Sequence, residues 1–380
     1  MMRKSLNLLL SMLLVVQLFG QPHHPTPLID SMMKTKPVVG LSVAVVKHNR
    51  IIYTQSFGYK NLERSIPLTN DGMFRIASIS KSFSATAIMQ LKEQGKLSID
   101  QDVSELIGFP VRNPRYPDSI ITLRLMMSHL SSINDSQGYF TLDAIHPEKN
   151  TKWMDAYSNY PPGTKFSYCN MNYNMIGAII ERVSGERFDQ YVYNHVLTPL
   201  KLSGGYNLDE LDTSRLASIY EYRSDSGKFV LSPGAYASRT REVANYQLGY
   251  SAPLFSPTGG MKISASDLAR YMIMHSRQGK NAGKRIISRK SARLMQTPLK
   301  SDTHYAFAIE NSDKIIPGQM LWGHTGSAYG LHSAMFFQPD KKFGFVLISN
   351  GVVPGNTAGV NTFLRQVMLL LYEQLIAEKK

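Results

Sequence analysis

The sequence predicts an α+β fold, in which an antiparallel sheet is flanked by helices from both chain halves and a helical, loop-rich subdomain is inserted between them. Three observations lead there. β-Branched runs cluster near the N-terminal end, short helical patterns broken by Pro, Asn and Ser fill the middle, and strand-like segments return before the C-terminus. With 380 residues, 43% of them apolar and only 19 prolines, the chain can bury a large core, which excludes disorder and fibrous repeats. No period of roughly 20–50 residues marks it as a repeat array.

In order along the chain, Arg3 and Lys4 precede an apolar stretch from Leu6 to Phe19 and then Gly20-Gln21-Pro22, so residues 1–20 read as a secretory signal peptide. The stretch is shorter than the ~20 residues a spanning helix needs. Cleavage after Gly20 fits, although Leu18 stands where a small residue is preferred. An exported protein, periplasmic or secreted, is the expectation, with no transmembrane span once the signal is removed.

After a Pro-rich entry (Pro22, Pro25, Pro27), Val38 to Lys47 and Ile51 to Tyr59 form a hairpin pattern around His48-Asn49-Arg50. A helix begins near Ser78 and runs to Gln94, with Phe83, Ala87, Ile88 and Leu91 on one face and Gly95 at its C-cap. The middle holds helical patterns at Thr122 to His129, Asn172 to Val183 and Phe188 to Val196. Ser264 with Asp267 three residues later marks another helix start, running to His275. Strands are expected at His304 to Glu310, at His332 to Gln338 and at Phe343 to Ser349, the last two joined at Pro339-Asp340. A packed helix from about Thr357 to Ala377 closes the chain. Residues 25–96 and 236–380 are therefore expected to build the α/β part, and residues 97–235 the inserted helical subdomain.

Composition narrows the function. Forty-two Lys and Arg against 28 Asp and Glu give a net charge of +14, which is compatible with a solvated basic surface or an anionic envelope partner. The charges are scattered, no run reaches five, and no nucleic-acid module is recognisable, so no nucleic-acid partner is expected. Cys169 is the single cysteine, leaving no intramolecular disulfide and no CxxC pair. GxSxG, GxGxxG, Walker and HExxH motifs are all missing. His23 and His24 alone make a poor metal site; no metal and no cofactor is expected.

Three motifs carry chemistry. Ser78-Ile79-Ser80-Lys81 is an S-x-x-K at a helix start, and three-residue spacing brings both side chains to one face. A serine hydroxyl needs a neighbouring base, and a lysine serves only when partly neutral. Burial and the positive end of the helix dipole both favour that state. Ser31 to Lys34 repeats the spacing, so the motif alone is weak. Tyr168-Cys169-Asn170 offers a phenol as proton shuttle and an amide for lysine and substrate. Tyr157-Ser158-Asn159 has the same pattern, but Pro161-Pro162-Gly163 fixes a bend just before Tyr168. Gly323-His324-Thr325-Gly326-Ser327 is a small-residue segment leading into the C-terminal strands, where substrate backbone can approach and the Ser327 N–H can face an oxyanion.

In this order the three motifs resemble those of the serine β-lactamase-like family, which includes class C β-lactamases, D-alanyl-D-alanine carboxypeptidases and related esterases and aminopeptidases. Phe74-Arg75-Ile76-Ala77, Leu125-Met126-Met127-Ser128-His129 and Pro257-Thr258-Gly259-Gly260 fit the same pattern, and the likeness runs from about Val38 to Asn350. The resemblance implies a β-lactamase/transpeptidase-like fold and an acyl-enzyme on Ser78, with Lys81 and Tyr168 relaying its proton. It implies an oxyanion hole from the N–H groups of Ser78 and Ser327, and substrate contacts from Asn170, His324, Thr325 and Gly326. Asn170 would also hold Lys81, and His324 would bond Tyr168 or the substrate.

His324 stands where β-lactamases of the family usually carry lysine. An unperturbed histidine is mostly neutral at pH 7, so recognition of a substrate carboxylate is expected to be weaker. Ser132 also stands where many relatives have glycine, a change with no account beyond loop tolerance. The expectation is a serine hydrolase acting on small peptides, including cell-wall-derived ones, D-amino-acid derivatives or esters. The alternatives are a true β-lactamase and a non-catalytic penicillin-binding or sensing module.

Overall fold

The computed structural model describes residues 25–378, and the signal-peptide assignment to residues 1–20 lies outside them, as do His23 and His24. Helix α1 (Pro25–Thr35) opens the described chain. Pro25 and Pro27 start this helix instead of preventing it, since a proline in the first turn lacks only an N–H that would have no helical partner.

The hairpin forms as expected from β1 (Val38–Lys47) and β2 (Arg50–Asn61). His48 and Asn49 both take positive φ, 51° and 58°, the conformation of a two-residue turn whose twist matches the strands. A short β3 (Ile66–Pro67) edges β2. Near the other end of the chain come β4 (Glu310–Ile316), β5 (Gln319–Ala328), β6 (Leu331–Gln338) and β7 (Phe343–Val352). Together these strands form one antiparallel sheet in the order β4-β5-β6-β7-β1-β2-β3. The two chain halves join where β1 pairs with β7, for instance at Val43 opposite Leu347.

The expected strand at His304 to Glu310 is corrected. His304 and Ala308 adopt positive φ and break the extension, and the strand begins only at Glu310. The small-residue segment around His324 does not merely lead into the strands; it lies inside one, β5. A second hairpin, Tyr220–Arg223 with Lys228–Leu231, sits in the middle part, where the sequence showed only helical and loop patterns.

Each face of the sheet carries its own core. Leu41, Val43, Phe345 and Leu347 face α1 and the closing helix α5 (Thr362–Leu371). That helix begins later than the expected Thr357 because Asn361 caps it, accepting from the N–H groups of Phe363 and Leu364. It continues as a wider turn over Tyr372–Ile376. Ala44, Val46, Met335 and Phe337 face the other core, which contains α2 (Ser80–Glu93), α3 (Asn170–Ser184) and α4 (Ala265–Ser276). Ser264 caps α4 by accepting from Asp267 N–H, as its spacing predicts.

The α2 helix differs from the one-faced helix expected: every residue from Ser80 to Leu91 is buried. Its polar side chains are absorbed locally. Ser82 bonds Ile79 O, Ser84 bonds Pro257 O, and Ser80 Oγ accepts from Met261 N–H. A helix enclosed on all sides holds its N-terminal end rigidly, and that end carries the S-x-x-K motif.

Candidate active site

Ser78 lies in a single tight turn, Ala77–Ile79, that runs into α2. Its buried neighbour Ala77 takes φ +47°, a conformation L-residues adopt rarely, so the turn is sharp and lifts Ser78 to a half-buried position. One turn on, Lys81 is fully buried and points back at it. Its Nζ donates to Ser78 Oγ at 3.1 Å, to Asn170 Oδ1 at 2.9 Å and to Thr258 O at 3.0 Å. All three donors of the ammonium are thereby used. Burial pushes the Lys81 pKa down to about 7, against the opposing pull of Asp135 and of Cys169.

Asn170 opens α3, at the end of the bend the sequence picks out. Its orientation is set by a residue that no motif revealed. The Asp135 carboxylate accepts from Asn170 N–H at 2.8 Å, Asn170 Nδ2 at 2.9 Å, Met171 N–H at 3.0 Å and Cys169 Sγ at 3.2 Å. It serves as the helix cap in place of Cys169, whose own side chain caps nothing. With one Asn170 N–H held by Asp135 and its oxygen shared between Lys81 and Thr258 Oγ1, this amide is chiefly a positioning group for Lys81.

Tyr168 is 40% exposed as a residue, yet its hydroxyl is turned into the site beside Ser78. Burial of that hydroxyl raises its pKa; Ser78 opposes the shift, while the charges of Glu310 and Asp135 add to it. The phenol is therefore protonated at neutral pH. Lys81 Nζ sits 4.8 Å from the centre of the Tyr168 ring. The ring also packs on buried His129, 4.2 Å away, whose Nδ1 accepts from Cys169 N–H at 3.1 Å. His129 thus supports Tyr168 and cannot donate from Nδ1 in this arrangement.

The strand segment Thr325-Gly326-Ser327 lies against the nucleophile turn. A Cβ on Gly326 would fall 2.2 Å from Ile76 O and 2.4 Å from Ser333 Oγ, so only glycine lets β5 come this close. Ser333 Oγ also donates to Ile76 O at 2.9 Å, tying β6 to the same turn. Because β4 pairs with β5 only as far as Glu310 opposite Gly323, the outer edge from His324 to Ala328 has no neighbouring strand among the described residues. Gly326→Ala is expected to cut kcat/KM at least about tenfold and to lower Tm, since the backbone must retreat from Ser78; turnover and thermal melts of the purified variant check this.

Of the two partners expected for His324, Tyr168 or the substrate, Tyr168 is not the one it bonds in this structure. Its Nε2 pairs with the Tyr305 hydroxyl at 3.0 Å and its Nδ1 with Thr325 O at 2.5 Å, while the Tyr168 ring centre is 6.2 Å away. Burial, reinforced by the charge of Lys81, pushes its pKa down to about 4, so it is neutral. The competing motifs lie elsewhere. Ser31 and Lys34 are both exposed, and Tyr157 is buried against Trp153. No cluster of three His, Cys, Asp or Glu suited to a metal occurs among the described residues. Nor is any described helix long and apolar enough to cross a membrane.

The beta-lactamase family model matches residues 26–368. The chain belongs to the beta-lactamase family. It is 26% identical over 341 residues to penicillin-binding protein 4 of Amycolatopsis lactamdurans, covering 85% of this chain and 84% of that one. To protein flp of Staphylococcus aureus strain MW2 it is 22% identical over 341 residues, or 85% of this chain, and it spans 62% of that relative's length. The penicillin-binding protein homologue from Pyrococcus abyssi, an octamer, superposes with TM-score 0.71 at 25% identity, covering 92% of this chain and 76% of the other. The D-amino acid amidase of Ochrobactrum anthropi SV3 shares the fold, with TM-score 0.69 at 18% identity over 92% and 98% of the two chains. The resemblance and fold class read from the motifs are borne out.

Proposed function

We propose that this beta-lactamase family protein is an exported serine hydrolase that forms an acyl-enzyme on Ser78. Its substrates in this reading are small peptides, D-amino-acid derivatives or esters. The observation that carries it is the Lys81 amine, buried against Ser78 Oγ with its pKa held near neutrality. At pH 7 about half of such amines are unprotonated and able to take the serine proton, whereas an ordinary lysine is almost wholly cationic. Lys81 is the resting base and Tyr168, a neutral phenol, passes a proton onward to the leaving group. The N–H groups of Ser78 and Ser327 would stabilise the oxyanion, and water, activated along the same path, would release the acyl group. The chemistry needs no metal or organic cofactor.

Neutral His324, spent on Tyr305 and Thr325 O, supplies no fixed positive charge for a substrate carboxylate, which favours amides and esters over penicillins. Intact-mass spectrometry across esters, D-amino-acid amides, D-peptides and β-lactams tests the reading. A persistent or turning-over adduct on Ser78 with esters or amides, absent in Ser78→Ala, is expected. Efficient nitrocefin hydrolysis without ester or amide cleavage would overturn it.

A further inference from the structure

Glu310 lies where β4 ends and the open edge of β5 begins. It pairs with Gly323, the residue before His324. The chain ahead of it folds back so that Tyr305 bridges to Glu310, and the Tyr305 hydroxyl reaches His324 Nε2. The Glu310 carboxylate is half-buried and has no hydrogen-bond or ion-pair partner among the described residues. Its charge is felt by both Tyr168 and Tyr305. Burial alone pushes its pKa up to about 7. A carboxylate set without a cation beside a reaction site is costly to the apo protein, and a ligand cation removes that cost.

In the acyl-transfer reading, the bond between Ser78 Oγ and the acyl carbon forms as the bond to the leaving oxygen or nitrogen breaks. The proton lost by Ser78 passes by way of Lys81 and Tyr168 to that leaving atom. The leaving group, taking its proton from the Tyr168 hydroxyl, then lies on the side of Tyr168, whose ring centre is 6.3 Å from that of Tyr305, the bridge partner of Glu310, and 6.2 Å from that of His324. On that side Lys81 is already engaged by Ser78, Asn170 and Thr258, and His324 is neutral. We infer that Glu310 makes the leaving-group side of the site select a cationic leaving group and disfavour one that carries a carboxylate. The inference rests on the acyl-enzyme reading of Ser78 but concerns which substrates the site holds.

Three butyrate esters test it: the choline ester, its uncharged isostere the neohexyl ester, and the glycolate ester. Binding is measured by calorimetry on Ser78→Ala protein at about pH 8, where a carboxylate with a near-neutral pKa is ionised. The choline ester is expected to bind about fivefold tighter than the neohexyl ester, the size of a partly exposed ion pair, and the glycolate ester more weakly than both. In Ser78→Ala/Glu310→Gln the cationic-to-neutral ratio should fall to about one and the glycolate ester should gain. The same ratios in kcat/KM should follow in the Ser78 enzyme and in Glu310→Gln. Equal or undetectable binding of the three esters, or ratios unmoved by Glu310→Gln, would overturn the inference. Charge-selective binding with no turnover in the Ser78 enzyme would uphold it while defeating the hydrolase reading.

Discussion

Lys81→Ala is expected to lower turnover by roughly 10²–10⁴-fold or to abolish it, the contribution of a positioned general base, and to stop acyl transfer to Ser78 altogether in mass spectra. The physical reason is specific to this lysine. Its amine lies within 3.1 Å of Ser78 Oγ, Asn170 Oδ1 and Thr258 O at once, and a water-exposed base does not take over a buried position. In the unmodified enzyme kcat/KM should rise with pH through an apparent pKa near 7, because the unprotonated amine is the reactive form and protonation below that value removes it. Lys81→Arg should be as inactive as alanine, since guanidinium stays protonated across the accessible pH range. A variant that keeps normal activity and a normal pH profile would exclude Lys81 as the base. Circular dichroism and thermal melts separate this loss from misfolding, which matters because removal of Lys81 takes the donor from the buried Thr258 O.

Asp135 is expected to give the second-largest effect, in two separable parts. Asp135→Ala removes the acceptor that serves the first two N–H groups of α3 and the Asn170 amide. A stability loss on the order of 1–3 kcal/mol follows from such unpaired donors, read as a lower denaturation midpoint. Asp135→Asn keeps the size and removes the charge. Asp135 raises the Lys81 pKa, so its neutralisation should move the acid limb of the kcat/KM profile to lower pH, below about 7. A rate reduction at every pH should accompany the shift, because Asn170 is no longer held rigidly. A profile with an unmoved acid limb would show that Asp135 is a helix cap and nothing more.

How much was legible in the chain follows from the range of the forces involved. The hairpin at His48-Asn49, the Ser264–Asp267 cap and the helix expected from Asn172 are written in neighbouring residues, because turn chemistry, capping and 3.6-residue periodicity act within one or two turns of backbone. The closeness of Ser78 and Lys81 is legible for the same reason, being a consequence of helical spacing. Asp135 is not, since it reaches 35 residues along the chain to Asn170 and sits in a loop with no period of its own. The displaced strand near Glu310 escaped because positive φ at His304 and Ala308, both non-glycine, leaves no compositional mark.

His324 shows the division most clearly. Its identity alone predicted a weaker hold on carboxylates, because imidazole titrates far below an amine. Its partners, Tyr305 and Thr325 O, were set by a strand edge and a folded-back loop.

By itself, then, the chain determined the family, the mixed sheet-and-helix class and the local pairing of hydroxyl and amine, all carried by short-range geometry and ordered motifs. Only the tertiary structure decided that α2 is enclosed, which depresses the Lys81 pKa, that Asp135 aims Asn170 at that amine, and that the Glu310 carboxylate sits beside the Tyr305–His324 pair with no partner of its own among the described residues. Desolvation and charge depend on what surrounds a group in space, and that environment is assembled from segments far apart in the sequence.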